Sequence, residues 1–503
     1  MANPSGSGWE KAGIFLLRWS LPVCFLALIL LNLAWKWVLV NSYAPDLGGF
    51  ERNVIWGIRQ CMEGNPLYAD PWSGNFALIQ YQPLYYSLVA GIGSLLGQDT
   101  PDGHGLYQLA RGINGILNLA TWALWFSILH QCFRLSRNRA LFFSGLAFLL
   151  MESFSISGRP DALKAFCFAA LVRVLLAFPD MRKRYVLGLA LLFSTMAFFT
   201  KQDGLVYAAI CPLWLLWQRQ TKEAIGLAVL QAVFLVVPVW LLHQSSHGAY
   251  LANVFGGLKN GLSLSWFVSA FGPFFMARLW VFAPALALAI DFLWERHPRL
   301  QALAIAFLVA FGSALLFSFK FGSGPNYFAE SIWAGCALLG LVVQRFEVKA
   351  LFFRPWARLT LPTMVLAFAF GISALQWATG VFLHQEKRLK SLYGQQREVQ
   401  AYLAQRFAHQ PNYKVLVLHS RQWEDHLTVL LGSHAFVPTR DVLEQVWKAG
   451  SPPQIQAVQA AVAEGKGLQA LVVPAGAAPD FLGMDFSRWK PRHEVGGFVV
   501  WER

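Results

Sequence analysis

The sequence predicts an α-helical polytopic membrane protein of about eleven transmembrane helices, with a small extracytoplasmic α/β domain at its C-terminal end. Three observations predict it. The 503 residues are 56% hydrophobic and only 14% charged, where a soluble globular chain averages about 25% charged. Mean hydropathy is +0.43. Apolar runs of roughly 18 or more residues recur from Gly13 to Phe382, each long enough to cross a hydrocarbon core of about 30 Å.

Spans are expected near Gly13–Val40, Leu106–Phe133, Ala140–Ser157, Ala162–Phe178, Tyr185–Phe199, Gly204–Trp217, Ala224–Leu242, Phe267–Trp294, Leu300–Phe319, Phe328–Gln344 and Leu359–Phe382. The first is too long for a cleavable signal, and no small-residue cleavage site follows it. Tyr81–Gly97 is also apolar but short, and Pro83 lies at its start. It reads as an interfacial or re-entrant helix within a long first outer loop, residues 41–105.

Counting the spans this way sorts the charges. Arg134, Arg137 and Arg139 fall in one set of loops, with Arg182, Lys183 and Arg184, Arg219 and Lys222, Arg296 and Arg299, and Arg345, Lys349, Arg354 and Arg358. The other set is nearly free of basic clusters. Such asymmetry places the basic loops and the N-terminus in the cytoplasm and the C-terminus outside. The net charge of +14 is then a topology signal, and nucleic acid is not an expected partner. Five of the six cysteines, Cys24, Cys132, Cys167, Cys211 and Cys336, lie in apolar spans as small hydrophobes, and Cys61 is alone in a loop. No cysteine or histidine spacing suggests zinc. His243 and His247, four residues apart, have no third ligand nearby in the sequence.

The domain boundary is expected at residues 383/384. KVLVLH (Lys414–His419), LQALVVP (Leu468–Pro474) and FVVWER (Phe498–Arg503) read as strands, and Lys387–Phe407, Thr439–Ala449 and Pro453–Glu464 as helices. No glycine-rich phosphate loop follows KVLVLH, so nucleotide binding is unsupported. The expected role is a cap roofing a cavity at the outer membrane face.

The outer loops collect the unusual polar motifs. YAPDLGGFER (Tyr43–Arg52) holds Asp46 and Glu51; SGRPD (Ser157–Asp161) holds Arg159 and Asp161. TKQDG (Thr200–Gly204) holds Lys201, Gln202 and Asp203, and KFGSGPNYFAE holds Lys320, Asn326, Tyr327 and Glu330. Ionisable groups at span ends are costly unless paired or solvated. A carboxylate can take a proton from an attacking hydroxyl, and arginine and lysine can hold a phosphate as it leaves. Structural readings compete with this chemistry. Arg159–Asp161 and Lys201–Asp203 also read as ion pairs tying span ends together, Glu51 as a partner of Arg52 or of a motif cation, and Asn326 and Tyr327 as a helix cap and an interface anchor.

These motifs carry a resemblance. PDLGGFE, GNPLY followed by YQPLYYSL, GRPDAL, FFTKQDGL and GSGPNYFAE, in this order between Gly13 and Phe382, resemble bacterial membrane glycosyltransferases of the GT-C fold, of the type related to glycosyltransferase family 39. The resemblance implies a multi-pass protein of the bacterial cytoplasmic membrane that transfers a sugar, with inversion, from a polyprenyl-phosphate donor to a glycan, lipid or protein acceptor on the outer face. It implies Asp46 as the base with Glu51 as its companion, and Arg159, Lys201 and Lys320 at the donor phosphate. Asp161, Gln202, Asp203, Asn326, Tyr327 and Glu330 would line the substrate pocket. The chain departs from the pattern at Gln82, where many relatives carry a second proline, and at Asp203, where a small or hydroxyl residue is common. Some GT-C enzymes use a divalent cation at a DxD pair. The Asp46–Glu51 spacing is different, so no required metal or other cofactor is expected. Two rival readings are a transporter or flippase for a lipid-linked sugar, which calls for a polar path through the bilayer, and a non-catalytic scaffold, which predicts that Asp46, Arg159, Lys201 and Lys320 are dispersed.

Overall fold

The computed structural model describes residues 25–72, 74–97, 102–151, 155–256, 261–349, 381–418, 424–440, 442, 453–464 and 468–503. The expected span Leu359–Phe382 lies almost wholly outside them, as do Gly13–Cys24 of the first span, the loop cations Arg354 and Arg358, and most of the expected helix Thr439–Ala449.

The longer helices are α1 (Phe25–Val40), α2 (Glu51–Met62), α3 (Pro83–Leu95), α4 (Gly103–Ser127), α5 (Arg137–Leu150), α6 (Asp161–Leu176), α7 (Lys183–Thr200), α8 (Ile210–Trp217), α9 (Thr221–Ser245), α10 (Gly272–Trp294), α11 (Pro298–Ser318) and α12 (Ala329–Lys349). Among the described residues, five helical stretches are long and apolar enough to cross a membrane: Gly103–Cys132, Thr221–Ser245, Leu264–Trp294, Pro298–Ser318 and Pro325–Gln344. The expected short helix is present as α3, 13 residues opened by Pro83, where a proline costs no hydrogen bond.

Burial separates the helices by role. In α6 only Phe166 and Arg173 are not fully buried. It packs against α4, α7 and α11, so its apolar residues run all round rather than along one stripe. In α9 only Ala224, Leu227 and Gln231 are buried, and Val229, Val233, Phe234, Val236 and Trp240 are exposed. That apolar rim suits lipid.

The expected span Gly204–Trp217 begins differently. Helix α7 ends at Thr200, Lys201 is extended, and Gln202–Ala209 forms a 3₁₀ turn before α8. The turn folds tightly on the end of α7: a Cβ on Gly204 would lie 2.3 Å from the Ala197 carbonyl oxygen. Only glycine fits there, and the fold-back brings Lys201, Gln202 and Asp203 out of the helix just before α8.

The C-terminal domain is a five-stranded mixed sheet of order β2-β1-β3-β5-β4, with β1 Val415–Val417, β2 Ala435–Phe436, β3 Ala470–Pro474, β4 Lys490–Val495 and β5 Phe498–Glu502. Strand β1 pairs in parallel with β2 and β3, and β5 runs antiparallel to β3 and β4. Gly496 and Gly497, at φ of 56° and 73°, close the β4–β5 hairpin with the two left-handed residues a type I′ turn requires. Helix α13 (Val381–Arg406) covers one face through Val399 and Leu403, and α15 (Pro453–Glu464) covers the other through Ile455, Val458 and Val462. A short helix, α14 (Leu427–Leu431), lies between β1 and β2. The three expected strands and the α/β character are present. Strands β2 and β4 were not expected: β2 has two residues, and β4 is an exposed, charged edge without apolar alternation.

This domain is not a separate lid. Helix α2 of the first long loop docks on it along one side. Arg52 Nη1 meets Asp425 Oδ2 at 2.7 Å, both side chains 2% exposed. Trp56 Nε1 donates to the Gly432 carbonyl at 2.8 Å, and Arg59 Nη1 to those of Val429 and Leu430 at 2.6 and 3.0 Å. Phe76 of the same loop joins the domain's core beside Phe436. His426 Nε2 lies 2.6 Å from the Tyr43 carbonyl oxygen.

Two outcomes follow from this interface. Arg52→Met leaves Asp425 buried without its cation, so thermal stability should fall by about 3–5 kcal/mol, with proteolysis of the 381–503 region easing in parallel; unchanged melting and cleavage would show that the pair does not hold the domain. Burial lowers the His426 imidazole to about 4, below its ordinary value of about 6.5. The sign is that of a base kept neutral by folding. Its stabilisation is complete above about pH 6.5 and is lost as pH falls toward 4, so acid should loosen this docking, and His426→Gln should blunt that dependence.

Candidate active site

A cavity of about 310 Å³ is lined by Gly48, Gly49, Phe50, Gln80, Tyr81, Arg159, Lys201, Gln202, Asp203 and the segment from Phe317 to Tyr327 that includes Lys320 and Asn326. With Phe255, six separate segments of the chain thus converge on one space. Phe50, Phe255, Phe317 and Phe321 supply an aromatic wall.

Beneath the polar wall lies a buried ion network. Asp161, the first residue of α6, is 3% exposed. Its Oδ1 accepts from Lys201 Nζ and Asn326 Nδ2, each at 2.8 Å, and Arg159 Nε lies 3.2 Å from its Oδ2. One helical turn on, Lys164 Nζ meets Asp203 Oδ2 at 2.6 Å and Glu330 Oε1 at 3.4 Å. The Lys201 ammonium also sits 4.4 Å from the centre of the Tyr327 ring, a cation–π geometry. Three cations, Arg159, Lys164 and Lys201, therefore offset three carboxylates, Asp161, Asp203 and Glu330.

Lys320 stands apart from this balance. It lines the cavity from the loop after α11, and among the described residues no carboxylate lies within ion-pair distance of it. Burial, and then the like charge of Lys201, lowers its amine from the ordinary lysine value. A partly buried cation with no counter-charge, facing a cavity, asks for an anion.

Asp46 and Glu51 take different places. Asp46 is half-buried and not on the cavity surface. Its Oδ1 accepts from the Gly48 and Gly49 amides at 3.1 and 2.5 Å. That holds the turn at whose end Phe50 adopts the left-handed conformation, φ 61°, unusual for a bulky residue. Arg159 Nη1 donates to the Gly48 carbonyl from the opposite side, and the Asp46 carboxylate is near enough to act on Arg159 electrostatically. Glu51 is fully buried. Its oxygens meet Arg111 Nε and Nη2 at 2.7 and 2.9 Å and accept from the Leu47 and Gly158 amides at 2.8 and 2.5 Å. Its partner is thus Arg111 of α4, neither Arg52 nor a motif cation, and it lies outside the cavity lining.

The structure brings Arg159, Lys201, Gln202, Asp203, Lys320, Asn326 and Tyr327 to one wall, with Asp161 and Glu330 behind it and Asp46 behind the adjoining turn. Dispersal, the arrangement expected of a scaffold, is not observed. The pairing Lys201–Asp203 is only a 3.9 Å contact; each has a closer partner, Asp161 and Lys164. No described residue of the C-terminal domain lines the cavity; its described contacts with the first long loop are made largely through α2. Lys164, Arg111, Tyr81 and Gln80 were missed. Lys164 and Arg111 had a signal, a lone charge inside an apolar span. Among the described residues no group of three metal-ligating side chains is present.

No family model matches the sequence, and no curated protein matches it. The fold is similar to that of ArnT. The crystal structure of ArnT from Cupriavidus metallidurans bound to undecaprenyl phosphate aligns with 95% of this chain and 97% of its own, with a TM-score of 0.60 at 15% identity. This agrees with the GT-C fold that the motifs resemble, and a likeness at that identity is one of fold.

Removing Lys164 leaves Asp203 and Glu330 buried without it. Lys164→Met should lower stability by about 3–5 kcal/mol, and Lys164→Met/Glu330→Gln should recover part of the loss; a single variant that melts like the wild type would deny the network its structural role.

Proposed function

We propose that this protein is an integral-membrane glycosyltransferase, of the type related to glycosyltransferase family 39, acting on the outer face of the bacterial cytoplasmic membrane. It transfers a hexosyl or pentosyl group, with inversion, from a polyprenyl phosphate to a hydroxyl of a glycan, lipid or protein. The N-terminus is cytoplasmic and the C-terminal domain lies outside. The observation that carries this reading is one cavity lined both by the cations Arg159, Lys201 and Lys320, the last unpaired among the described residues, and by four phenylalanines. That combination suits a phosphate joined to an apolar chain. The similarity of the whole fold to ArnT, whose crystal structure holds undecaprenyl phosphate, supports it.

In the proposed reaction the acceptor oxygen attacks the anomeric carbon, and the bond from that carbon to the phosphate oxygen breaks. The phosphate leaves with the electron pair, its added charge met by Lys320, Lys201 and Arg159. The acceptor proton goes to Asp46, whose carboxylate lies off the cavity lining behind the Gly48–Gly49 turn, so in this reading the acceptor hydroxyl approaches along that turn. Glu51 is a positioning residue here. Its bonds to the Leu47 amide and to Arg111 fix the start of α2 and so the turn that carries Asp46. Asp161 and Glu330 hold the cations in place, and Gln202, Asp203, Asn326 and Tyr327 meet the substrate.

The test uses the purified protein in nanodiscs with labelled polyprenyl-phosphate sugars and a membrane extract as acceptor source, following release of polyprenyl phosphate. Asp46→Asn should fold normally and lose at least about a hundredfold in turnover; full turnover would remove Asp46 as the base. Lys320→Ala should weaken binding of bare polyprenyl phosphate by about tenfold to a hundredfold, the worth of one charged hydrogen bond. Because the Lys320 amine titrates below the ordinary lysine value, this binding should fall as pH rises into the alkaline range, and that fall should be absent in Lys320→Arg. Tight binding of a lipid-linked sugar without release from any donor would favour the transporter reading.

A further inference from the structure

A buried polar atom without a partner is costly, and at a cavity wall it marks where a ligand group is met. Among the described residues, the side chains lining the cavity contain four buried nitrogen or oxygen atoms that make no hydrogen bond: Arg159 Nε, Gln80 Nε2, Gln202 Oε1 and Asp203 Oδ1. The first already faces Asp161 Oδ2 at 3.2 Å. The other three belong to two adjoining pieces of chain, and two of them sit on side chains, Gln202 and Asp203, that are held by a bond at the neighbouring atom. Gln202 Nε2 donates to the Gln80 carbonyl at 2.9 Å, which leaves its Oε1 uncommitted. Lys164 holds Asp203 Oδ2 at 2.6 Å, which leaves Oδ1 uncommitted. Gln80 is 3% exposed and its Nε2 has no partner. One donor and two acceptors, one of them charged, thus stand uncommitted on residues that line the cavity, and for Gln202 and Asp203 a ligand bond would cost little further side-chain freedom.

We propose that Gln80, Gln202 and Asp203 read the hydroxyls of the transferred sugar. A hydroxyl both donates and accepts, so it can take a hydrogen bond from Gln80 Nε2 while giving one to Asp203 or Gln202. The class selected is a polyhydroxylated sugar without a negative charge, since a sugar carboxylate at this edge would meet Asp203. This rests on reading the cavity as a polyprenyl-phosphate-sugar site. Gln80 is the residue it adds, and the clamping of Gln202 and Asp203 is the reason these two discriminate rather than merely fill space.

The quantity to measure is a ratio: the affinity of the full-length protein in nanodiscs for undecaprenyl phosphate carrying glucose, galactose or mannose, divided by its affinity for bare undecaprenyl phosphate. Wild type should give a ratio above one for at least one sugar, and a ratio no higher with glucuronic acid. Gln80→Met and Gln202→Met keep chain length and remove the polar ends, so each should lower the ratio by about tenfold. The ratio is internal to each variant and is read on whatever protein binds the bare lipid, so a general loss of folding does not mimic the effect. Ratios equal to the wild type in both variants, or a preference for glucuronic acid, would overturn the assignment, as would a wild type that binds bare lipid and gains nothing from any sugar. A wild type that binds neither lipid would overturn the polyprenyl reading itself, and this inference with it.

Discussion

Asp161 opens a helix that is buried almost all round, and an uncompensated carboxylate in such a place would cost several kcal/mol. The end of the helix bundle is organised around meeting that cost. No single element supplies enough donors. Arg159 comes from the turn before α6, Lys201 from the break after α7, and Asn326 from the 3₁₀ turn before α12. Three segments far apart in the chain are thereby held to one point. Lys164, one turn further along α6, repeats the arrangement with Asp203 and Glu330. The three cations and three carboxylates balance in charge and tie their segments together, so the walls of the cavity are set before any ligand arrives. Such preorganisation is what makes electrostatic stabilisation effective in an enzyme site.

A second buried pair, Glu51–Arg111, carries the same logic across the first long loop. Its neighbour in sequence, Arg52, is buried against Asp425 of the C-terminal domain. The first turn of α2 is thus anchored on one side to the bundle through Arg111 and the Gly158 amide, and on the other to the sheet domain. Gly158 precedes Arg159, and Arg159 reaches back to the Gly48 carbonyl. A continuous set of hydrogen bonds runs from Asp425 through α2 to the turn that Asp46 caps. The C-terminal domain therefore acts as a buttress for the cavity's edge, which accounts for its intimate packing with Phe76 and Trp56 while it contributes no described residue to the lining.

Much of this was legible in the sequence, for reasons that differ by element. The long spans betray themselves because lipid and a dry bundle interior both demand apolar side chains, and the polar motifs stood out against that background. The convergence of Arg159, Lys201, Lys320 and Asn326 followed from placing their loops on one side. Partner choice was not legible. Glu51 has Arg52 beside it and still pairs with Arg111, because the side chain beside it turns toward Asp425. Arg111 and Lys164 were hidden by their flanks: hydropathy averaged over a span dilutes one charge, although a lone intramembrane charge is the rarer and more informative feature. The break at Lys201 was misjudged as a plain loop between spans. Its cause, the contact of Gly204 with the Ala197 carbonyl, is a tertiary close approach that no periodicity records. Strand β4 escaped because an exposed edge protected by charge has no apolar alternation to find.

The remaining question is why, among the described residues, Lys320 should be left out of so thorough a balance. Lysine tolerates partial burial by giving up its proton, and Lys320, half-enclosed and close to Lys201, is already displaced in that direction. An anion entering the cavity reverses the pressure: it stabilises the ammonium and is itself stabilised, so binding and protonation reinforce each other. The charge-balanced network behind adds no long-range attraction of its own, which leaves the selectivity for charge concentrated at Lys320. For a sugar phosphodiester, one negative charge is present before transfer and a second develops on the phosphate as the sugar departs. Under the proposed reaction, a site whose uncompensated cation among the described residues is Lys320 holds the first moderately and gains most from the second, which is the condition for stabilising a transition state more than a ground state. A cavity ringed by several unpaired cations would bind both forms tightly and release the lipid phosphate slowly. Pairing Arg159 and Lys201 with Asp161 tempers them, and under the proposed reaction Lys320, unpaired among the described residues, suits a site that must let its leaving group go.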